Sequence, residues 1–146
     1  MRIPDEVTCV QYGNVREYGE RSRLAEVVCR PRLAAEARHD AAAFLASQCP
    51  DVDTDTAQNL TLIVSELVTN AFRHADGVEA MTLLADRDTL RVIVEDSSPA
   101  RPQERCPDLS GHGGGFGWPM VRLLAHRVSV LPRAGGGKAI EAVLAR

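Results

Sequence analysis

Between Asn59 and Ala75 the chain reads NLTLIVSELVTNAFRHA, and its polar residues are chemically unlike an ordinary solvated helix face. At about 100° per residue, Leu60, Val64, Leu67, Val68, Ala71 and Ala75 gather on one side, which must be the core side. Asn59, Glu66, Asn70 and Arg73 gather on the other, with His74 beside them. This face offers a carboxylate, an amide one turn on, and then a guanidinium. A carboxylate can accept a proton from an attacking hydroxyl or water. An amide oxygen is a hard ligand that can complete a Mg²⁺ shell made otherwise of water and phosphate oxygens. Arg73 or His74 could balance phosphate charge. Spacing alone equally permits an exposed polar face, although such a face favours Lys/Glu pairs and this one has none.

Three further segments bear on that choice. Val92-Ile-Val-Glu-Asp-Ser-Ser-Pro is an apolar run that delivers Asp96 at its end, where a carboxylate can accept a hydrogen bond from an exocyclic amine. Gly111-His-Gly-Gly-Gly-Phe-Gly117 runs directly into Trp118-Pro-Met-Val-Arg-Leu-Leu. Glycines let backbone N–H groups turn toward an anion, and a helix start adds partial positive charge. Gly135-Gly-Gly-Lys138 is explained equally well by a plain hairpin turn.

The elements that must carry these residues follow from periodicity and punctuation. Leu24–Cys29 is a short β-branched run ended by Pro31, and an alanine-rich helix extends from Arg32 to about Ser47, with an apolar stripe at Leu33, Ala37, Ala41, Phe44 and Leu45. After Pro50, Asp53 or Thr54 can cap the chemistry-bearing helix, which runs to about Ala75. Strand-like runs at Val78–Leu84 and Leu90–Glu95 flank the turn Asp86-Arg87-Asp88. The Pro/Ser/Gly-rich stretch Ser97–Gly115 has no apolar period, and a segment of that kind inside a compact domain is usually a lid or binding loop. A helix at about Trp118–His126 and strands at Val128–Leu131 and Ala139–Leu144 close the chain. The order predicts a two-layer α/β sandwich, with helices on one face of a mixed, largely antiparallel sheet. Residues 1–23 are polar and weakly periodic and read as an extension; residues 24–146 form a single domain.

Composition narrows the function classes. The net charge is −3, with no clustered basic footprint for nucleic acid. No apolar run approaches the ~20 residues of a membrane helix, and the N-terminus lacks an apolar signal-peptide core, so a cytoplasmic location is expected. Cys9, Cys29, Cys49 and Cys106 contain no CxxC pair and read as free thiols, and the four histidines form no HExxH pattern. His39-Asp40 lies on a lone helix, with no second long helix to build a dimerisation hairpin, and reads as a surface pair.

Taken together, ELVTNAFRHA, EDSSPARP, GGFGWPMV and GGGKA resemble the helix box and three glycine boxes of the GHKL (Bergerat) ATPases, specifically the actinobacterial anti-sigma-factor serine/threonine kinase branch. The resemblance covers about Val27 to the C-terminus. It implies ATP and Mg²⁺ as cofactors, Glu66 as general base, Asn70 as the Mg²⁺ ligand and Asp96 as the adenine reader, with Gly115 and Gly117 at the phosphates. The nucleotide-contacting set it implies also includes Arg73, His74, Ser98, Gly113, Phe116, Trp118 and Lys138. It further implies phosphorylation of a STAS-like anti-anti-sigma protein, binding of a sigma factor, and a homodimer; an ATP-responsive anti-sigma module with little kinase turnover is the other reading. Three residues depart from the pattern: Ser98 stands for a glycine, Trp118 for a leucine, and Ala139 for a threonine, the last removing a hydrogen bond worth ~1 kcal/mol.

Overall fold

A computed structural model describes residues 25–103 and 117–146. The extension at 1–23, the segment 104–116 with Gly113, Gly115 and Phe116, and Cys9 and Cys106 lie outside the described residues.

The elements run β1 (Ala25–Cys29), α1 (Ala34–Gln48), α2 (Thr54–His74), β2 (Ala80–Ala85), β3 (Thr89–Asp96), α3 (Gly117–Leu124), β4 (Arg127–Pro132) and β5 (Lys138–Ala145). The strands form one sheet in the order β1-β2-β3-β5-β4, and all four pairings are antiparallel. The largely antiparallel sheet expected from sequence is antiparallel throughout its described strands. The last strand in sequence sits between β3 and β4, so β3 and β5 are neighbours although α3 and β4 separate them along the chain.

Period-two alternation in the strands builds the core. Inward residues align across the sheet in rows: Ala85, Leu90 and Leu144; Leu83, Val92 and Ala142; Met81, Val94 and Ile140. All nine are buried. α2 lies over β3 and β5, α1 over β1 and β2, and α3 against α2 and β4. The predicted stripe of α2 is buried at Leu60, Val64, Leu67, Val68 and Ala71, joined by Ile63, while Ala75 caps the helix and is only partly buried. Asp53 caps the start of α2, its carboxylate accepting from the Thr56 N–H at 2.9 Å and the Thr56 hydroxyl at 2.7 Å.

α1 begins two residues later than its sequence suggests. Leu33 is the extended N-cap (φ −140°, ψ 151°) and is 60% exposed, so it leaves the stripe that Ala37, Ala41, Phe44 and Leu45 keep. Pro31 ends the strand and is itself buried, while the Arg32 N–H donates to Glu36 Oε2 at 2.6 Å.

The β4–β5 hairpin is pressed against the end of β3. Gly137 adopts φ +79°, and a Cβ there would lie 2.0 Å from the Asp96 carbonyl oxygen. Arg133 reaches across from the same hairpin to Glu79, to Glu95 Oε1 at 3.1 Å, and to the Asp96 carbonyl oxygen at 3.5 Å. Gly137→Ala should therefore destabilise the protein by about 2 kcal/mol or more, because both the backbone region and the space are wrong for a side chain. Gly135→Ala, where nothing lies within 4 Å, should be near neutral; paired thermal and urea melts compare the two.

The β2–β3 turn gives a second test. Burial pushes the Asp86 carboxyl up, but the Asp88 N–H, the Thr89 hydroxyl and N–H, and the Arg91 guanidinium outweigh it and hold it below the usual aspartate value. A depressed folded pKa means that this contribution is complete above the unfolded value of about 3.9 and is lost as pH falls through the folded one. Asp86→Asn should flatten the acid limb of a stability–pH curve below about pH 4.

Candidate nucleotide site

The apolar stripe of α2 faces the sheet, so its opposite residues turn toward the space between α2, α3 and the end of β5. A cavity of about 310 Å³ opens there. Glu66, Asn70, Arg73 and His74 line it from α2, Gly117 and Trp118 from the start of α3, and Lys138 and Ile140 from β5. Residues 100–103, which follow β3, complete the wall. Asn59 is half-buried and takes no part in the lining.

Glu66 is held where α2 meets α3. A Cβ on Gly117 would lie 2.0 Å from Glu66 Oε2, so the carboxylate rests against the glycine that opens the third helix. Any larger residue at 117 would take that space. Trp118 is half-buried, packs on the core and also reaches the cavity, while Pro119 sits in the first turn, where its missing N–H breaks no helical bond.

Asp96 and Ser98 lie behind the wall. Asp96 is 2% exposed, and its Oδ1 accepts from the Ser98 N–H at 2.9 Å and from Lys138 Nζ at 2.9 Å. Lys138, 5% exposed, also donates to the Ser98 carbonyl oxygen at 3.1 Å. The pair continues the inward rows of the sheet: beyond Val94 opposite Ile140 comes Asp96 opposite Lys138. Ala139 pairs with Glu95 and points to the other face of the sheet. The side chain beside Asp96 in this register is that of Lys138.

Five lining residues, Ala100, Arg101, Pro102, Gln103 and Ile140, were not named individually from sequence. Residues 100–103 belong to the stretch after β3 that reads from sequence as a lid or binding loop, but a loop without a period does not say which of its side chains face the cavity. Ile140 could have been found, because it stands two residues after Lys138 on the same strand face. Of the residues named from sequence, the cavity brings together Glu66, Asn70, Arg73, His74, Gly117, Trp118 and Lys138.

The family model for the histidine kinase-like ATPase domain matches residues 27–144. The chain belongs to this family. None of the curated proteins compared with it matches the sequence. A histidine kinase-like ATPase domain binds ATP, and the lining chemistry suits that ligand: an amide and a carboxylate in one wall, two cationic side chains at its edge, and a buried apolar floor at Ile140. The Asn70 amide oxygen also fits a Mg²⁺ that would arrive with a triphosphate, because Mg²⁺ keeps most of its shell as water and phosphate oxygen and asks for only one or two protein ligands. Among the described residues no cluster of three or more His, Cys, Asp or Glu forms a cage of its own. No helix among them is long and apolar enough to cross a membrane.

The Gly117 contact is testable. Gly117→Ala meets only the end of a flexible side chain, so its melting temperature should stay within a few degrees of the parent. The added methyl should push the Glu66 carboxylate aside, and ATP turnover should fall at least ~10-fold while ATP affinity changes little.

Proposed function

We propose that the protein is an ATP-dependent serine/threonine kinase that acts as an anti-sigma factor, phosphorylating a STAS-like anti-anti-sigma protein in a partner-switching pathway. The observation that carries this reading is the shared wall of one cavity by Glu66, Asn70, Arg73 and His74, with Gly117 closing against the Glu66 carboxylate. The resemblance of ELVTNAFRHA and GGFGWPMV to the anti-sigma kinase branch supplies the acceptor class.

In this mechanism the acceptor hydroxyl attacks the γ-phosphorus, the new P–O bond forms as the bond to the ADP oxygen breaks, and the hydroxyl proton passes to the Glu66 carboxylate. Asn70 would hold a Mg²⁺ through its amide oxygen, and the ion would supply charge neutralisation at the phosphates. Arg73 and His74, both exposed at the cavity edge, meet the phosphate end. Ile140 supplies an apolar surface at the buried end. The glycines at 113 and 115 and Phe116 belong to the same site in this proposal.

Partner binding is assigned to the β1–α1 side. Among the described strands β1 lies at an edge of the sheet, and such an edge beside a small-residue helix can dock a second copy of the chain or a sigma or STAS-like partner. The cytoplasm is the compartment such a pathway requires.

Transfer of labelled phosphate from Mg-ATP to a STAS-like acceptor tests the reading directly. Glu66→Gln should lower transfer by ~10²–10⁴-fold while ATP still binds, as removal of a general base does. Asn70→Ala should instead remove the Mg²⁺ dependence of ATP binding. Transfer at the parent rate in Glu66→Gln would show that another group is the base.

A further inference from the structure

We infer that the extension ahead of β1 lies back across the seam between α1 and α2, and that its uncharged run, residues 7–15, occupies an apolar groove there. The groove belongs to the first half of α2, away from the residues that line the nucleotide cavity.

The two helices do not close over each other at this end of their seam. A groove of about 570 Å³ opens between Ala42 and Leu45 of α1, Val52 in the connection, and Ala57, Thr61 and Leu62 of α2. None of the described residues that line it carries a charge. Leu62 is 45% exposed, at a position where a solvated helix face would place a charged or polar side chain. One turn further along, the Arg38 guanidinium bridges the seam by donating to Ser65 Oγ at 3.0 Å. Such a groove suits a short apolar stretch of chain and offers little to an ion.

The same chain carries a matching stretch within reach. Residues 1–24 hold eight charged side chains, yet none falls between Val7 and Val15, where the sequence reads VTCVQYGNV. Val7, Val10, Tyr12 and Val15 supply its apolar surface. β1 also begins at the end of the molecule where the groove opens. Ala25 pairs with Ala85; the next residue, Asp86, accepts from Arg146 at 3.1 Å through its carbonyl oxygen; and Arg146 holds Asp51, one residue before Val52. Nine residues, 16–24, separate the uncharged run from Ala25. Extended, they span about 30 Å, enough to pass from the sheet to the outer side of a helix about 10 Å across. Covalent attachment gives the run an effective concentration of roughly millimolar, which favours it over a separate chain.

Hydrogen exchange of the full chain, read by mass spectrometry, tests this. Amides of residues 7–15 should exchange at least ~10-fold more slowly than those of a free peptide of the same sequence. Leu62→Glu puts a charge in the groove and should bring them to the peptide rate, while β3 and β5 keep their parent protection. Val10→Asp makes the same test from the extension, without touching the described core, and should give the same release. Exchange at the peptide rate in the parent, or protection that survives either substitution, would overturn the inference. So would protection that disappears on dilution, because the groove would then be filled by the extension of a second copy.

Discussion

The structure depends first on the burial of one stripe of α2 against β3 and β5. Six fully or almost fully buried side chains, Leu60, Ile63, Val64, Leu67, Val68 and Ala71, fix the rotation of this helix about its axis. Each apolar side chain of this size contributes about 1.5–3 kcal/mol on burial, apart from the smaller Ala71, so rotating the helix by one residue would be prohibitive. Glu66, Asn70, Arg73 and His74 then have no choice of direction. Their arrangement around a cavity is a consequence of where the hydrophobic residues must go, and the chemistry is carried on a helix whose orientation it does not itself have to stabilise.

The opposite wall is organised by a different kind of force. Asp96 and Lys138 occupy inward positions that every neighbouring row fills with aliphatic residues. Removing two charges from water is unfavourable, and their attraction offsets this only when the remaining polar atoms are also bonded. The Ser98 peptide supplies both complements, donating its N–H to the carboxylate and accepting from the ammonium. Deleting either charge alone would leave the other buried, typically a loss of about 3–5 kcal/mol. The pair is a weak source of net stability but a strong constraint on geometry. Gly137 and Arg133 reinforce it from the hairpin, one by yielding space to the Asp96 peptide and the other by capping its carbonyl oxygen.

The fold was largely legible in the sequence because its signals are local. Eight elements announce themselves by a 3.6-residue or two-residue period, and Pro31, Pro50 and the Asp86–Asp88 turn punctuate them. The start of α1 was misplaced because Leu33 looks like the first member of an apolar stripe, whereas its backbone is extended and its side chain faces water. The α2 wall of the site was legible for the same local reason. The β5 wall was legible only in part: the resemblance names Lys138, but its place after three glycines reads as a turn until the register sets it against Asp96, forty-two residues earlier. Sequence spacing on one helix can be computed by hand, but the pairing of two distant strands cannot. Arg101 and Gln103 were hidden for a related reason, since a loop has no period from which to infer direction.

The placement of the last strand in the middle of the sheet has a consequence for how the molecule assembles. Helix α2 and the β2–β3 hairpin are sequence-local and can form early, whereas β3 keeps an open edge until residues 138–145 arrive between it and β4. Closing a loop of that length has an entropic cost that local contacts do not share, so pairing of β3 with β5 belongs to the slow part of folding. Until then the Asp96 carboxylate is held in water, without its ammonium, at the end of an unfinished sheet. Completion of the ligand cavity and completion of the fold are therefore the same event, and a chain caught short of it presents an aliphatic strand edge and no binding site.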